Sequence, residues 1–157
     1  MRKPPGLETA CRVVVSVSAN DEDCASLERI LRSGWTVMPS AAVASALALL
    51  RELPIPIVVF DCGVTTGTWG EMLEQLSLLP DPPLLIVTSR LADERLWAEA
   101  LNLGAWDVLA KPFDTDEAVR VVSGAYRHWQ YRQGIYVGST RQRKSVSGTE
   151  YMTATGT

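Results

Sequence analysis

An open α/β fold built on a parallel sheet is what this 157-residue sequence predicts. Three observations carry the prediction. Short β-branched or apolar runs alternate with stretches of helical period. Gly and Pro sit where the period switches. The resulting βα unit recurs five times between Arg12 and Gln130, and that alternation favours a parallel sheet with helices on both faces.

The elements follow in order. Arg12-Val13-Val14-Val15-Ser16-Val17-Ser18 reads as a strand. Asn20 or Asp21 caps a helix through roughly Arg32, with Cys24, Leu27, Ile30 and Leu31 on its core side and Gly34 as a left-handed stop. Trp35-Thr36-Val37-Met38 is the second strand, after which Ser40 caps an alanine-rich helix to Glu52 with Val43, Leu47 and Leu50 along one face. Pro54 and Pro56 end it. Ile57-Val58-Val59-Phe60 is a continuous apolar run, as a strand covered on both faces requires. A Gly- and Thr-rich loop from Asp61 to Gly70 leads to a helix ending near Leu79, and Pro80-Asp81-Pro82-Pro83 breaks the chain. Leu84-Leu85-Ile86-Val87 is the fourth strand, Ala92 to Leu103 a helix stopped by Gly104, and Trp106-Asp107-Val108-Leu109-Ala110 the fifth strand. Asp114-Thr115-Asp116-Glu117 has the form of a capping box and opens a last helix to about Gln130.

The expected organisation is an N-terminal extension over 1–10, a folded domain over 11–132 and a flexible tail over 133–157. The last stretch is rich in Ser, Thr, Gly, Arg and Lys. Its cluster Arg141-Gln142-Arg143-Lys144 reads as solvated rather than as a docking site. With 46% hydrophobic and 21% charged residues the balance is globular, and the length supports a core without disulfides or metal. A net charge of −3 lacks the positive field of a nucleic-acid binder. No apolar run reaches the roughly 18 residues that span a bilayer, and no apolar segment follows the first residues as in a signal peptide. The expectation is a cytoplasmic protein with neither a membrane nor a nucleic-acid partner. Cys11, Cys24 and Cys62 form no CxxC pair and a single histidine is present, which argues against zinc and for reduced thiols.

In an open parallel sheet, ligands bind outside the carboxyl ends of the strands. That rule selects Asp61 after the third strand, Thr88 and Ser89 after the fourth, and Lys111 after the fifth. Each lies one βα unit from the next, so they converge on one rim. A carboxylate, a hydroxyl and an ammonium in one pocket form a phosphoryl-transfer set: the carboxylate attacks, and the other two stabilise charge on the phosphoryl oxygens. Taken singly, each residue is better explained as a strand end or a turn. The three together carry the reading.

Val58-Val59-Phe60-Asp61, Leu85-Ile86-Val87-Thr88-Ser89, the Leu103-Gly104-Ala105 turn and above all Leu109-Ala110-Lys111-Pro112-Phe113 resemble the receiver domain of two-component response regulators, from Arg12 to Gln130. The resemblance implies a flavodoxin-like (βα)5 three-layer sandwich, its five-stranded parallel sheet in the order 2-1-3-4-5. It implies Asp61 as phosphoacceptor, Thr88 as switch hydroxyl, Lys111 as phosphate-pairing lysine, and a Lys111-Pro112 bond that is often cis. It also implies a single-domain regulator in a phosphorelay, no enzyme in its own right, taking a phosphoryl group from a histidine kinase or another phosphodonor protein. Output would pass to a downstream protein through the face of the fourth helix, fifth strand and fifth helix, where Trp97, Trp106, Tyr126 and Trp129 fall. A homodimer is an open alternative.

The sequence departs from that family at specific places. The acidic pair that holds Mg2+ is replaced by Ser18 and Ala19, leaving Asp61 as a lone metal ligand and implying weak Mg2+ binding. Asn20, Asp21 and Asp23 follow, and a shift that brings Asp21 or Asp23 to the site stays open beside outright loss. The Met-Pro after the phosphoacceptor is missing. The aromatic switch position is Val108, with Trp106 on the same side of the strand if alternation holds. These departures keep a second reading alive: a pseudo-receiver that binds proteins without phosphorylation. A third, from the likeness of Asp61-Cys62-Gly63-Val64-Thr65 to the nucleophile loop of haloacid-dehalogenase-like phosphatases, fails on three counts. Two βα units precede the loop, Gly63 stands where the general acid belongs, and no later acidic pair appears.

Overall fold

The computed structural model describes residues 12–134. Strands and helices alternate as β1 Val13–Val17, α1 Asp21–Ile30, β2 Thr36–Ser40, α2 Val43–Glu52, β3 Ile57–Asp61, α3 Trp69–Ser77, β4 Leu84–Ser89, α4 Glu94–Leu103, β5 Asp107–Ala110 and α5 Thr115–Arg132. Every strand pair is parallel and the order is β2-β1-β3-β4-β5. The expected flavodoxin-like sheet is therefore present. The chain separates into a unit that ends at Tyr126 and another that begins at Arg127, and all five strands belong to the first.

Alternation along the strands divides the core in two. Val15, Val17, Val58, Phe60, Leu85, Val87 and Val108 join Ala46, Leu47 and Leu50 of α2, Met72 and Leu76 of α3 and Ala100 of α4 in one cluster. Val14, Ile57, Val59, Ile86 and Leu109 alternate to the opposite face, and Leu27 and Leu31 at α1 with Val121, Val122 and Ala125 of α5 are buried outside that cluster. Every residue of β3 is buried, as its unbroken apolar run requires. β2 is an edge strand, which is why it tolerates Pro39, a residue without a backbone donor.

Side-chain caps define the helix starts. Asn20 accepts from Glu22 N at 2.9 Å, and Asp21, Glu22 and Asp23 place negative charge at the positive end of α1. Thr68 and Glu71 form a reciprocal capping box on α3. Asp93 caps α4, which ends on Gly104 at φ 112°, where only glycine is unstrained. Asp114 accepts from Glu117 N at 3.0 Å, half of the box expected there.

Several expectations need correction. Gly34 is not among the positive-φ glycines; α1 ends at Leu31, whose carbonyl receives the N–H groups of Gly34 and Trp35. Cys24 and Ile30 are only half-buried. Ser40 does not cap α2. It ends β2, its hydroxyl bonds Ala42 O and Ser45 Oγ, and the N-cap position is Ala42, without a side-chain bond. Trp106 precedes β5, so alternation does not govern it; its ring lies against Gly124 of α5 while Val108 sits in the cluster under α2, α3 and α4. The expected extension over 1–10 and the tail beyond Gly134, including Arg141 to Lys144, lie outside the described residues. Among the described residues no helix is long and apolar enough to cross a membrane.

Candidate functional site

The strand ladder assembles the site. Register places Asp61 directly beside Thr88, and Ser89 beside Ala110. The ladder continues past the strands, with Cys62 N donating to Thr88 O at 2.8 Å and Lys111 N to Ser89 O at 3.0 Å. Asp61, Thr88 and Lys111 thus meet at one rim, as their spacing predicts. Thr88 Oγ1 donates to Asp61 Oδ1 at 3.2 Å, and Lys111 Nζ lies 2.7 Å from the same oxygen. Gly63 N donates to Asp61 Oδ2 at 3.0 Å; a Cβ at residue 63 would stand 2.8 Å from that oxygen and push the carboxylate aside. The Lys111-Pro112 peptide is cis, as the resemblance implies.

The end of β1 builds the other side. Ser18 and Ala19 supply no carboxylate. Asp23, in the first turn of α1, reaches in instead: its Oδ2 lies 2.7 Å from Lys111 Nζ and accepts from Ser18 Oγ at 3.1 Å. Asn20 N in turn donates to Ser18 Oγ at 3.1 Å and fixes the hydroxyl. One ammonium therefore bridges two carboxylates, and the Lys111, Asp61 and Asp23 side chains are only 9%, 9% and 16% exposed. Burial pulls the Lys111 pKa down, but the hydrogen bonds to Asp23 and Asp61 outweigh it, and the group stays protonated above its ordinary range. Next to the carboxylate, burial pushes the Cys62 thiol up, as does the charge of Asp61, against a hydrogen bond with Ser89 and the charge of Lys111. Cys62 is thus a neutral neighbour rather than a thiolate.

A cleft of about 450 Å³ opens on Asp61, with Ala19, Asn20, Ser89, Arg90 and Lys111 among its walls. A second, of about 350 Å³, shares Asn20, Arg90 and Lys111 with it and extends to Asp23 and Phe113. Sequence reasoning missed Arg90, although its place just after Thr88 and Ser89 at the end of β4 was a usable signal. It also missed that Asp23 partners Lys111, which lies 88 residues away.

The residues present do not fit a divalent cation. Mg2+ demands near-octahedral oxygen donors. Here Asp61 Oδ1 is taken by Thr88 and Lys111, its Oδ2 by Gly63 N, and Asp23 Oδ2 by Lys111 and Ser18. Among the described residues no three Asp, Glu, His or Cys side chains cluster as a metal site. Asp21 makes none of the ion pairs of the site, so of the two candidate replacements only Asp23 enters it.

The aromatic residues expected on an interaction face divide. Tyr126 and Trp129 are buried, and Tyr126 stacks edge-on with Trp35 at 5.1 Å beneath the Arg12 guanidinium. Trp97 and Leu101 of α4 are exposed, at 39% and 42%.

No family model matches the sequence. Curated relatives and solved structures do. The acid tolerance regulatory protein ActR of Rhizobium meliloti (strain 1021) is 30% identical over 101 residues, covering 62% of this chain and 52% of that protein. The C4-dicarboxylate transport transcriptional regulatory protein DctD of the same organism is 32% identical over 120 residues, 75% of this chain and 25% of that protein. The chain thus spans about half, or a quarter, of the length of these relatives. The beryllofluoride-activated NtrC4 receiver domain dimer superposes with a TM-score of 0.69 at 22% identity, covering 75% of this chain and 98% of that one. The receiver domain of a putative LuxO repressor from Vibrio parahaemolyticus gives 0.72 at 13% identity, covering 79% and 96%. Shared fold and shared sequence define the class: the chain carries a response-regulator receiver domain, the module of two-component signalling.

Proposed function

We propose that Asp61 accepts a phosphoryl group from the phosphohistidine of a histidine kinase, and that the receiver acts in a phosphorelay. The supporting observation is the Asp61 carboxylate held between Thr88 Oγ1 at 3.2 Å and Lys111 Nζ at 2.7 Å, open to a cleft. In the transfer an Asp61 oxygen forms a bond to phosphorus as the P–N bond to the donor imidazole breaks. The electron pair stays with the imidazole, and the acyl phosphate remains on the protein. Lys111, held in place by Asp23, meets the phosphoryl oxygens, and Thr88 supplies the hydroxyl they engage. The role is that of a signalling module rather than a turnover catalyst, in keeping with its class. A kinase or other phosphodonor protein is the upstream partner. Exposed Leu91, Trp97 and Leu101, around α4, favour a downstream protein there.

Incubation with acetyl phosphate and Mg2+, read by intact mass, tests the assignment. One added phosphoryl group is expected on the wild type and none on Asp61→Asn; a wild type that gains nothing beside an active control receiver removes the reading. The second reading, a phosphorylation-independent binding module, draws on Ser18 and Ala19 at the acidic-pair positions and on the ammonium bridge between Asp23 and Asp61. The same blank result would favour it.

A further inference from the structure

We infer that this receiver takes a phosphoryl group without a divalent cation, because Lys111 and Arg90 supply the positive charge that its carboxylates and the incoming group require. The inference rests on Asp61 being the acceptor and goes beyond that reading in naming how the charge is met.

Charge balance carries the argument. A metal-dependent pocket sets an acidic pair and an acceptor carboxylate against a divalent ion and a lysine. Here the acidic pair is absent, and the two carboxylates of the site, Asp23 and Asp61, already share Lys111 at 2.7 Å each. A divalent ion here would sit beside that ammonium, with Ser18 and Ala19 offering no carboxylate to offset its charge. The second positive charge is already on the rim. Arg90 lines both the cleft over Asp61 and the adjoining one, and among the described residues it pairs with no carboxylate. Two basic side chains thus stand against two acidic ones, with Glu22 lining the adjoining cleft only. A guanidinium is well suited to the role, since its planar fork of donors matches the edge of a phosphoryl group. Lys111 is held from both sides, by Asp61 and by Asp23, which itself accepts from Ser18. Preorganised donors of this kind stabilise charge without a reorganisation cost at the moment of transfer.

With acetyl phosphate the step balances without a metal or an added proton. An Asp61 oxygen bonds to phosphorus while the P–O bond to the acetyl group breaks, and acetate leaves with the electron pair.

The test runs the full chain with acetyl phosphate in two arms, one with Mg2+ and one with EDTA, and follows phosphoryl mass over time. The expected rates agree within about threefold, and Arg90→Ala slows the EDTA arm by about tenfold. Labelling that appears only with Mg2+ overturns metal independence and leaves Asp61 as the acceptor. A blank in both arms overturns the acceptor reading and this inference with it. An unchanged rate in Arg90→Ala, an exposed position whose loss leaves the core intact, overturns the part assigned to Arg90. Calorimetric titration with Mg2+ gives an independent readout: no saturable binding is expected at low millimolar concentration, and tight binding overturns the inference.

Discussion

The two sides of the Asp61 pocket were built by different means. On the side of β3, β4 and β5, successive strand ends deliver Asp61, Thr88 and Lys111 through the backbone ladder, and register alone makes them neighbours. On the side of β1 and α1 no strand-end carboxylate is present, and Asp23 comes in from a helix turn to hold Lys111. The difference teaches that the side carrying Asp61, Thr88 and Lys111 is set by the sheet, whereas the side of β1 and α1 depends on loop and helix residues. There an ammonium bridges the two carboxylates.

That contrast can be broken in several ways, the largest effect first. Lys111→Met removes the only cation between two poorly exposed carboxylates and should cost about 2–3 kcal/mol, below the full penalty for an orphaned buried charge because both keep some solvent. The urea midpoint should fall with an unchanged slope; an unmoved midpoint would mean the bridge contributes nothing to folding. Next, Ala19→Asp restores a carboxylate on the wall of the Asp61 cleft, and Mg2+ affinity should rise about tenfold, roughly 1.4 kcal/mol. Calorimetry that finds no gain would show that the β1 side cannot be returned to metal binding by one ligand. Asp23→Asn keeps the shape but removes one charge, and should cost about 1 kcal/mol while lowering the Lys111 pKa. If NMR titration of the lysine shows no downward movement, Asp61 alone holds Lys111 and the asymmetry drawn above is wrong.

The smallest effect is in alkaline solution. Lys111 titrates higher in the folded than in the unfolded state. Its contribution is therefore complete below about pH 10.4, the unfolded value, and fades as pH rises through the folded one. The stability gap between wild type and Lys111→Met should be constant at neutral pH and close only in that alkaline range. A gap that closes near pH 7 would contradict the assigned direction.

Legibility followed the same division. All five strands and five helices were readable, because each is a local pattern of period and punctuation. Errors fell where a residue's role depends on its neighbours in space. Gly34 was read as a left-handed stop, yet Leu31 closes α1 through its own carbonyl. Ser40 was read as a cap, yet β2 runs two residues further and takes it in. Trp106 was given a strand face it does not have, since β5 begins one residue later. For Tyr126 and Trp129 the sequence left an interface and ordinary core packing open, and both are buried.

By itself the sequence determined the parallel sheet and the rim where Asp61, Thr88 and Lys111 meet, because one βα unit returns the chain to the same edge each time. Only the tertiary structure decided that Asp23 and Lys111, 88 residues apart, share a charge, and that Arg90 stands between two clefts. The physical reason is that strand spacing is periodic and can be counted, whereas the direction of a side chain on a helix turn or a loop is set by the charges and hydroxyls packed around it.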